Sequence, residues 1–193
     1  MQIPNIIKET CNGYFVHTIQ DEMLMHREVE CVGPVNEESV NSLILQLRYL
    51  ERQDPAGEIT IYINSPGGEV SSGLALYDVI QAVRCPIRTV CMGLAASMGA
   101  VLLASGNERE MLAHSRVMIH DPLIAGNGMK GSALYLDSRV KDLMNTRDLI
   151  AGILSEHTHR TKEEILEYTA RDTYFYAEEA IEFGLADRII TQL

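Results

Sequence analysis

Basic side chains are scarce in this sequence. Sixteen Lys and Arg stand against 27 Asp and Glu, a formal charge of −11, and residues 21–58 carry three Arg among nine acidic side chains. With no basic stripe to displace counterions from phosphates, nucleic acid and anionic membrane are not expected partners. The four cysteines, Cys11, Cys31, Cys85 and Cys91, contain no C-x-x-C pair. A chain this long does not need disulfide staples, so they read as thiols of a reducing compartment. N-x-S/T sequons are absent, and the opening "MQIPNIIKETCNGYF" lacks the basic and then apolar segments of a secretory signal. Fixed-period repeats, low-complexity tracts and a Pro/Gly/Ser-rich linker are missing too. The 193 residues are therefore expected to form one domain, 1–193.

A long, strongly hydrophobic run is also lacking. Residues 89–107, "TVCMGLAASMGAVLLASGN", are uncharged and approach the ~20 residues of a membrane span. Their Gly and Ser content makes them weakly apolar, and strand-like "RTVCM" gives way to a glycine turn. At 46% hydrophobic and 22% charged, the composition is that of an ordinary folded protein.

What is present is an alternation of β-branched runs and helical patterns. "NEESVNSLILQLRYLER" offers Asn36 as N-cap and Val40, Leu43, Leu47 and Leu50 on one face. Strand "EITIYIN", helix "VSSGLALYDVIQAV", strand "IRTVCM", a helix opening near Ser97 and strand "SRVMIH" follow. This β-α-β-α-β order predicts an α/β fold with parallel strands and right-handed crossovers. Residues 132–157 read as one long helix whose stripe of Leu136, Val140, Leu143, Ile150 and Leu154 is interrupted by Arg147. Further on, Thr161 and Glu164 match a capping box, and Gly184 reads as a helix stop.

Open α/β sheets bind ligands beyond the carboxyl ends of their strands. Three strands here end on unusual residues: Gly67-Gly68, Ser97 and His120. A serine becomes a nucleophile when a base takes its proton, and a histidine is the usual base. Gly67, Gly68 and the Met98 amide could supply N–H donors for an oxyanion. Each piece also has an ordinary reading: small-residue packing for Ser97, a tight turn for Ser-Pro-Gly-Gly, a structural hydrogen bond for His120. Five other histidines compete, and His157 with His159 lacks the spacing of a metal motif. Asp121 adjoins His120, but successive side chains of an extended segment point to opposite faces. Asp172, in "TARDTYF", is the remaining candidate for a third member, with a loop cap as its other reading.

Taken together, "YINSPGG", "MGLAASMGA", "RVMIH" and "ARDTYFYAEEAIEFGLAD" resemble, in order and spacing, the proteolytic subunits of the Clp protease, the ClpP family. The resemblance covers nearly the whole chain. It implies a crotonase-like ClpP α/β fold with an axial N-terminal segment at 1–20 and a handle region at 121–157 built on the projecting long helix. By motif it makes Ser97 the nucleophile, His120 the general base and Asp172 the group that orients the imidazole. Gly68 and Met98 become oxyanion donors with Gly67 beside them. Tyr62 and nearby apolar residues resemble part of a pocket that docks an AAA+ unfoldase. The implied protein is a cytoplasmic serine endopeptidase of heptameric rings stacked into a tetradecamer, cutting unfolded polypeptides. ATP is used by the unfoldase, and neither cofactor nor metal is implied in this chain.

The sequence departs from the family where Gln-Pro usually follows the histidine: here Asp121-Pro122 stands, then "LIAGNGMKG" in place of a glycine pair. Ala170-Arg171-Asp172 replaces an acid-Arg-Asp run, and "YFVHTIQDEMLMHREVECVG" differs from the usual arginine-bearing stretch. Most of these changes lie near the ring-to-ring region, so a divergent second copy, working with a paralogous ring, is expected. The alternatives are a non-catalytic or weakly active ring subunit and an acyl-CoA hydratase or isomerase of related fold.

Overall fold

The computed structural model describes residues 4–11, 13–124 and 130–193. An antiparallel hairpin of β1 (Asn5–Thr10) and β2 (Gly13–Thr18) leads into α1 (Ile19–Met25). Then follow β3 (Glu28–Val32), α2 (Glu37–Gln53), β4 (Ile59–Ser65), α3 (Val70–Ala82), β5 (Ile87–Ala96), α4 (Met98–Ala104), β6 (Glu108–Leu112) and β7 (Arg116–Ile119). The chain closes with α5 (Ala133–Thr158), α6 (Lys162–Thr169), β8 (Thr173–Tyr176), α7 (Ala177–Phe183) and β9 (Arg188–Ile190). Of the expected axial segment 1–20, residues 1–3 and 12 lie outside the described residues. So do residues 125–129 of the "LIAGNGMKG" stretch.

The main sheet runs β3-β4-β5-β6-β9, all parallel. Strand β5 serves two neighbours in succession. Its first half, Arg88–Cys91, pairs with β6, and its second half, Leu94–Ala96, pairs with β7. The expected glycine turn after "RTVCM" is therefore corrected: the strand continues through Gly93 to Ala96. A register shift between Ile63 and Ser65 absorbs the irregularity, and the Asn64 side-chain oxygen accepts from the Leu94 amide at 3.3 Å. Gly93, at φ 125°, takes a conformation that favours glycine. Among the described residues no helix is long and apolar enough to cross a membrane; the uncharged run is divided between β5 and α4.

Several local readings hold. Asn36 caps α2 in a capping box with Ser39, and Val40, Leu43, Leu47 and Leu50 are all buried. Thr161 and Glu164 form the capping box of α6, and Gly184 ends α7 at φ 97°. The carbonyls at the end of α2 have an unforeseen partner. The Arg27 guanidinium donates to the Leu50 oxygen in the last turn of α2 and to the Asp54, Gly57 and Glu58 oxygens of the segment that follows.

The apolar stripe of α5 is buried only in its second half. Ile150 and Leu154 enter the core, Leu136 and Leu143 are half-buried, and Val140 is exposed. Leu134, Tyr135, Met144 and Leu149 are exposed as well. Among the described residues, no side chain in the first half of α5 is fully buried.

Candidate active site

Strands β4, β5 and β7 are parallel neighbours, so their carboxyl ends meet at one edge. After β4, the chain enters Pro66-Gly67-Gly68. Ser65 braces this turn, its hydroxyl donating to the Gly33 oxygen at 2.6 Å and accepting from the Gly67 amide at 3.0 Å. The loop is pinned on its other side by Val35, whose amide donates to the Gly67 oxygen at 2.9 Å and whose oxygen accepts from the Glu69 amide at 2.8 Å. Only glycine fits here. A Cβ on Gly67 (φ 84°) would stand 2.6 Å from the Ala96 oxygen and 2.7 Å from the Ser97 Cβ, and one on Gly68 (φ 158°) would overlap the Val35 oxygen.

Ser97 sits between β5 and α4 at φ 56°, ψ −121°, a conformation that costs an L-residue roughly 1–3 kcal/mol. Sharp strand-to-helix elbows of this kind lift a nucleophile clear of its sheet. The Ser97 amide is anchored to the Met118 oxygen at 2.8 Å, and its oxygen accepts from the Ala100 amide at 2.9 Å, starting the helix. Met98 is the first helical residue, so its N–H has no acceptor within the helix. A Cβ on Gly67 would lie 3.0 Å from the Met98 nitrogen; the glycine loop thus runs directly beside that amide.

His120, one residue past β7, brings its Nε2 to 2.9 Å from the Ser97 Oγ. On the other side of the ring, Nδ1 is 3.4 Å from the Asp172 Oδ1. The register explains this meeting. β7 and β8 are antiparallel with Ile119 opposite Thr173, so the next rung sets His120 opposite Asp172. The His120 side chain is 14% exposed and that of Asp172 63%, an enclosed base beside a wet carboxylate. Asp121 points elsewhere: its carboxylate takes the Arg147 Nε at 2.6 Å and the Thr169 hydroxyl at 2.7 Å. Arg147, the interruption in the α5 stripe, was the sequence signal for that pair.

Beside the hydroxyl lies a narrow pocket lined by Val70, Met98, Val101, Ile119, Pro122, Ile150 and Leu154 together with Ser97 and His120. A broader cleft between α3 and α5, lined by Glu69, Leu74, Leu123, Arg139 and Leu143, adjoins it through Val70 and Pro122. The enclosed surface is apolar and the approach to it mixed. Such a site can transfer the Ser97 proton to His120, with an apolar surface beside the reacting hydroxyl.

A model of the Clp protease family, described as Clp protease, matches residues 12–193.

The chain belongs to the Clp protease family.

Its α/β architecture, a sheet built mainly of parallel strands with seven helices among the described residues, is the ClpP fold of that family. Family membership makes the chain ClpP-like, and the alternative of an acyl-CoA hydratase or isomerase is set aside.

Two other groups of residues have different surroundings from those expected. Tyr62 is 6% exposed, and its neighbours are not simply apolar. Glu30 stands opposite it on β3, and burial followed by the charge of Glu28 raises its phenol pKa. Nearby, the buried Glu110 carboxylate receives the Arg88 and Arg188 Nε atoms, each at 2.7 Å. Alternation along β3, β5 and β6 puts charges on this side of the sheet, beside the buried Val90 that pairs with Tyr62 on β5. His157, one of the competing histidines, meets the Tyr77 hydroxyl at 3.0 Å, and burial lowers its pKa. Among the described residues no group of three His, Cys, Asp or Glu is arranged to hold a metal ion. The four cysteines are free, and burial pushes Cys31 and Cys91 up to about 11, away from the thiolate form needed for attack.

Proposed function

We propose that the protein is a serine endopeptidase in which Ser97 attacks, His120 exchanges the proton and Asp172 orients the imidazole. The observation that carries this reading is the 2.9 Å approach of the His120 Nε2 to a serine hydroxyl raised on a strained elbow. The Ser97 Oγ adds to a peptide carbonyl as Nε2 takes its proton. The carbonyl oxygen, now an anion, is received by the Gly68 and Met98 amides, with Gly67 clearing the approach. Nε2 then protonates the leaving amine, and water releases the acyl group by the same steps. The apolar pocket favours an apolar side chain on the acyl side of the cut.

The enclosing assembly belongs to the same proposal. Leu134, Tyr135, Val140, Met144 and Leu149 stand exposed around the first two thirds of α5, and a second copy of the chain in a stacked ring is the proposed cover for them. Heptameric rings closed into a tetradecamer would admit only unfolded polypeptide, fed by an AAA+ unfoldase that spends ATP. Tyr62 is proposed to lie at the edge of the surface that docks this unfoldase. A partnership with a paralogous ring, in the cytoplasm, completes the proposal.

A fluorophosphonate probe tests the chemistry. Labelling is expected on Ser97, in the fraction whose mass, measured on the same sample, corresponds to the assembled rings. Fully assembled protein with no labelled serine would overturn the reading in favour of a non-catalytic subunit.

Gly68→Ala is expected to lower peptide hydrolysis by about 10²–10³-fold. The added methyl must push the loop off Val35 and take the Gly68 amide with it. Hydrolysis within threefold of the original, in equally assembled protein, would remove Gly68 from the oxyanion site.

A further inference from the structure

We propose that Asp121 and Arg147 are positioning residues that hold His120 and Asp172 in register, an inference that rests on the serine-peptidase reading above. The His120–Asp172 pair lies just past the last rung of the β7–β8 ladder, Ile119 opposite Thr173. A second fastening closes the far side of the pair. The Asp121 amide donates to the Thr169 oxygen at 2.7 Å, and the Thr169 hydroxyl donates to the Asp121 Oδ1 at 2.7 Å. The base and the acid are thus bracketed, by a β-rung before them and by a two-bond contact after them.

Arg147 ties this bracket to the long helix. Its Nε donates to the Asp121 Oδ2 at 2.6 Å and its Nη2 to the Leu166 oxygen in the last turns of α6 at 3.2 Å. One guanidinium therefore joins α5, the residue after His120 and the helix that precedes Asp172. The side chains of Arg147 and Asp121 are 22% and 32% exposed, and Thr169 is 3% exposed.

Asp172 needs such help. Its carboxylate is 63% exposed, and its ion pair with His120 at 3.4 Å is its one polar side-chain contact among the described residues. Backbone placement alone decides where it sits. Replacing both members of such an ion pair by apolar side chains of similar volume is often neutral or stabilising, so packing alone does not account for the arginine in the α5 stripe. Positioning accounts for it.

The test uses the full assembled protein and reads two quantities: the rate of fluorophosphonate labelling at Ser97, and the pH midpoint of His120 C2-hydrogen exchange measured by mass spectrometry. Arg147→Met and Asp121→Asn should each slow labelling by about ten- to a hundredfold, the usual result of small misplacement. Both should also lower the His120 midpoint, because the imidazolium loses its Asp172 partner in either case. Simple through-space charge predicts opposite signs, Asp121→Asn lowering the midpoint and Arg147→Met raising it. Opposite shifts, or none, would overturn the proposal. The double variant should label little more slowly than either single one; additive losses would count against a shared clamp. Should Arg147→Met fail to assemble, Thr169→Val, which removes one donor without changing shape, and Arg147→Lys carry the same comparison with smaller shifts in the same direction. Absence of labelling in the original protein would sink the peptidase reading, while the exchange midpoints would still decide the clamp.

Discussion

Replacing Ser97 with alanine is expected to cut peptide hydrolysis by about 10⁶-fold, and His120→Ala by about as much. In the proposed mechanism the two residues act through one proton transfer, across the 2.9 Å between their Nε2 and Oγ. Losing either removes the whole step, so the double variant should be no slower than the worse single one. What activity persists would come from amides that still polarise a bound carbonyl. Steady-state rates with a short fluorogenic peptide, on protein of unchanged assembly mass, provide the check. Additive losses, or a Ser97→Ala rate within tenfold of the original, would mean that another nucleophile does the work.

The next largest effect is expected at Asp172. In a serine protease with a buried acid, exchanging that acid for asparagine lowers kcat by about 10⁴. The amide donates where the carboxylate accepted, which forces the imidazole proton onto the nitrogen that should face the serine. Here the contact is 3.4 Å and the acid 63% exposed, so water already screens part of its charge. Asp172→Asn is therefore expected to cost about 10²–10⁴ in kcat, with KM little changed. Because the pair is wet, raising salt should narrow the gap between the original protein and the variant. A loss below threefold would assign Asp172 to the turn after α6 and leave a dyad.

Much of this site could be read along the chain because its parts are local. Gly67-Gly68 and Ser97 each terminate a strand whose β-branched pattern is plain, and His120 closes "RVMIH". Parallel order then forces the three ends to one edge. Asp172 could not be selected that way. Its relation to His120 is set by the antiparallel pairing of β7 with β8, more than fifty residues later in the chain, and short "TYFY" carries no alternation to announce it. By residue pattern it stayed one candidate beside a loop cap; only the family resemblance singled it out.

Two of the strands that the pattern does not announce, β6 and β9, share a cause. β6, "EREML", and β9 place Glu110 and Arg188 side by side in the sheet, so charges that look like surface loop are satisfied by each other. The long helix fails in the opposite sense. Its stripe from Leu136 to Leu154 is regular, yet periodicity says only that a face is apolar, and of that stripe only Ile150 and Leu154 are fully buried among the described residues. Arg147 looked like a flaw in the pattern until Asp121 was placed opposite it.

The division of labour between β5 and the β7–β8 ribbon has a mechanical consequence. Ser97 hangs from the central strand β5, whose opening approaches the cost of global unfolding, whereas His120 and Asp172 lie at the end of a two-stranded ribbon that the Asp121, Thr169 and Arg147 contacts must hold closed. On the proposed reading, releasing those contacts would silence hydrolysis while leaving the interior intact. A catalytic centre hinged this way could be armed or disarmed by whatever steadies one short ribbon, long before anything melts.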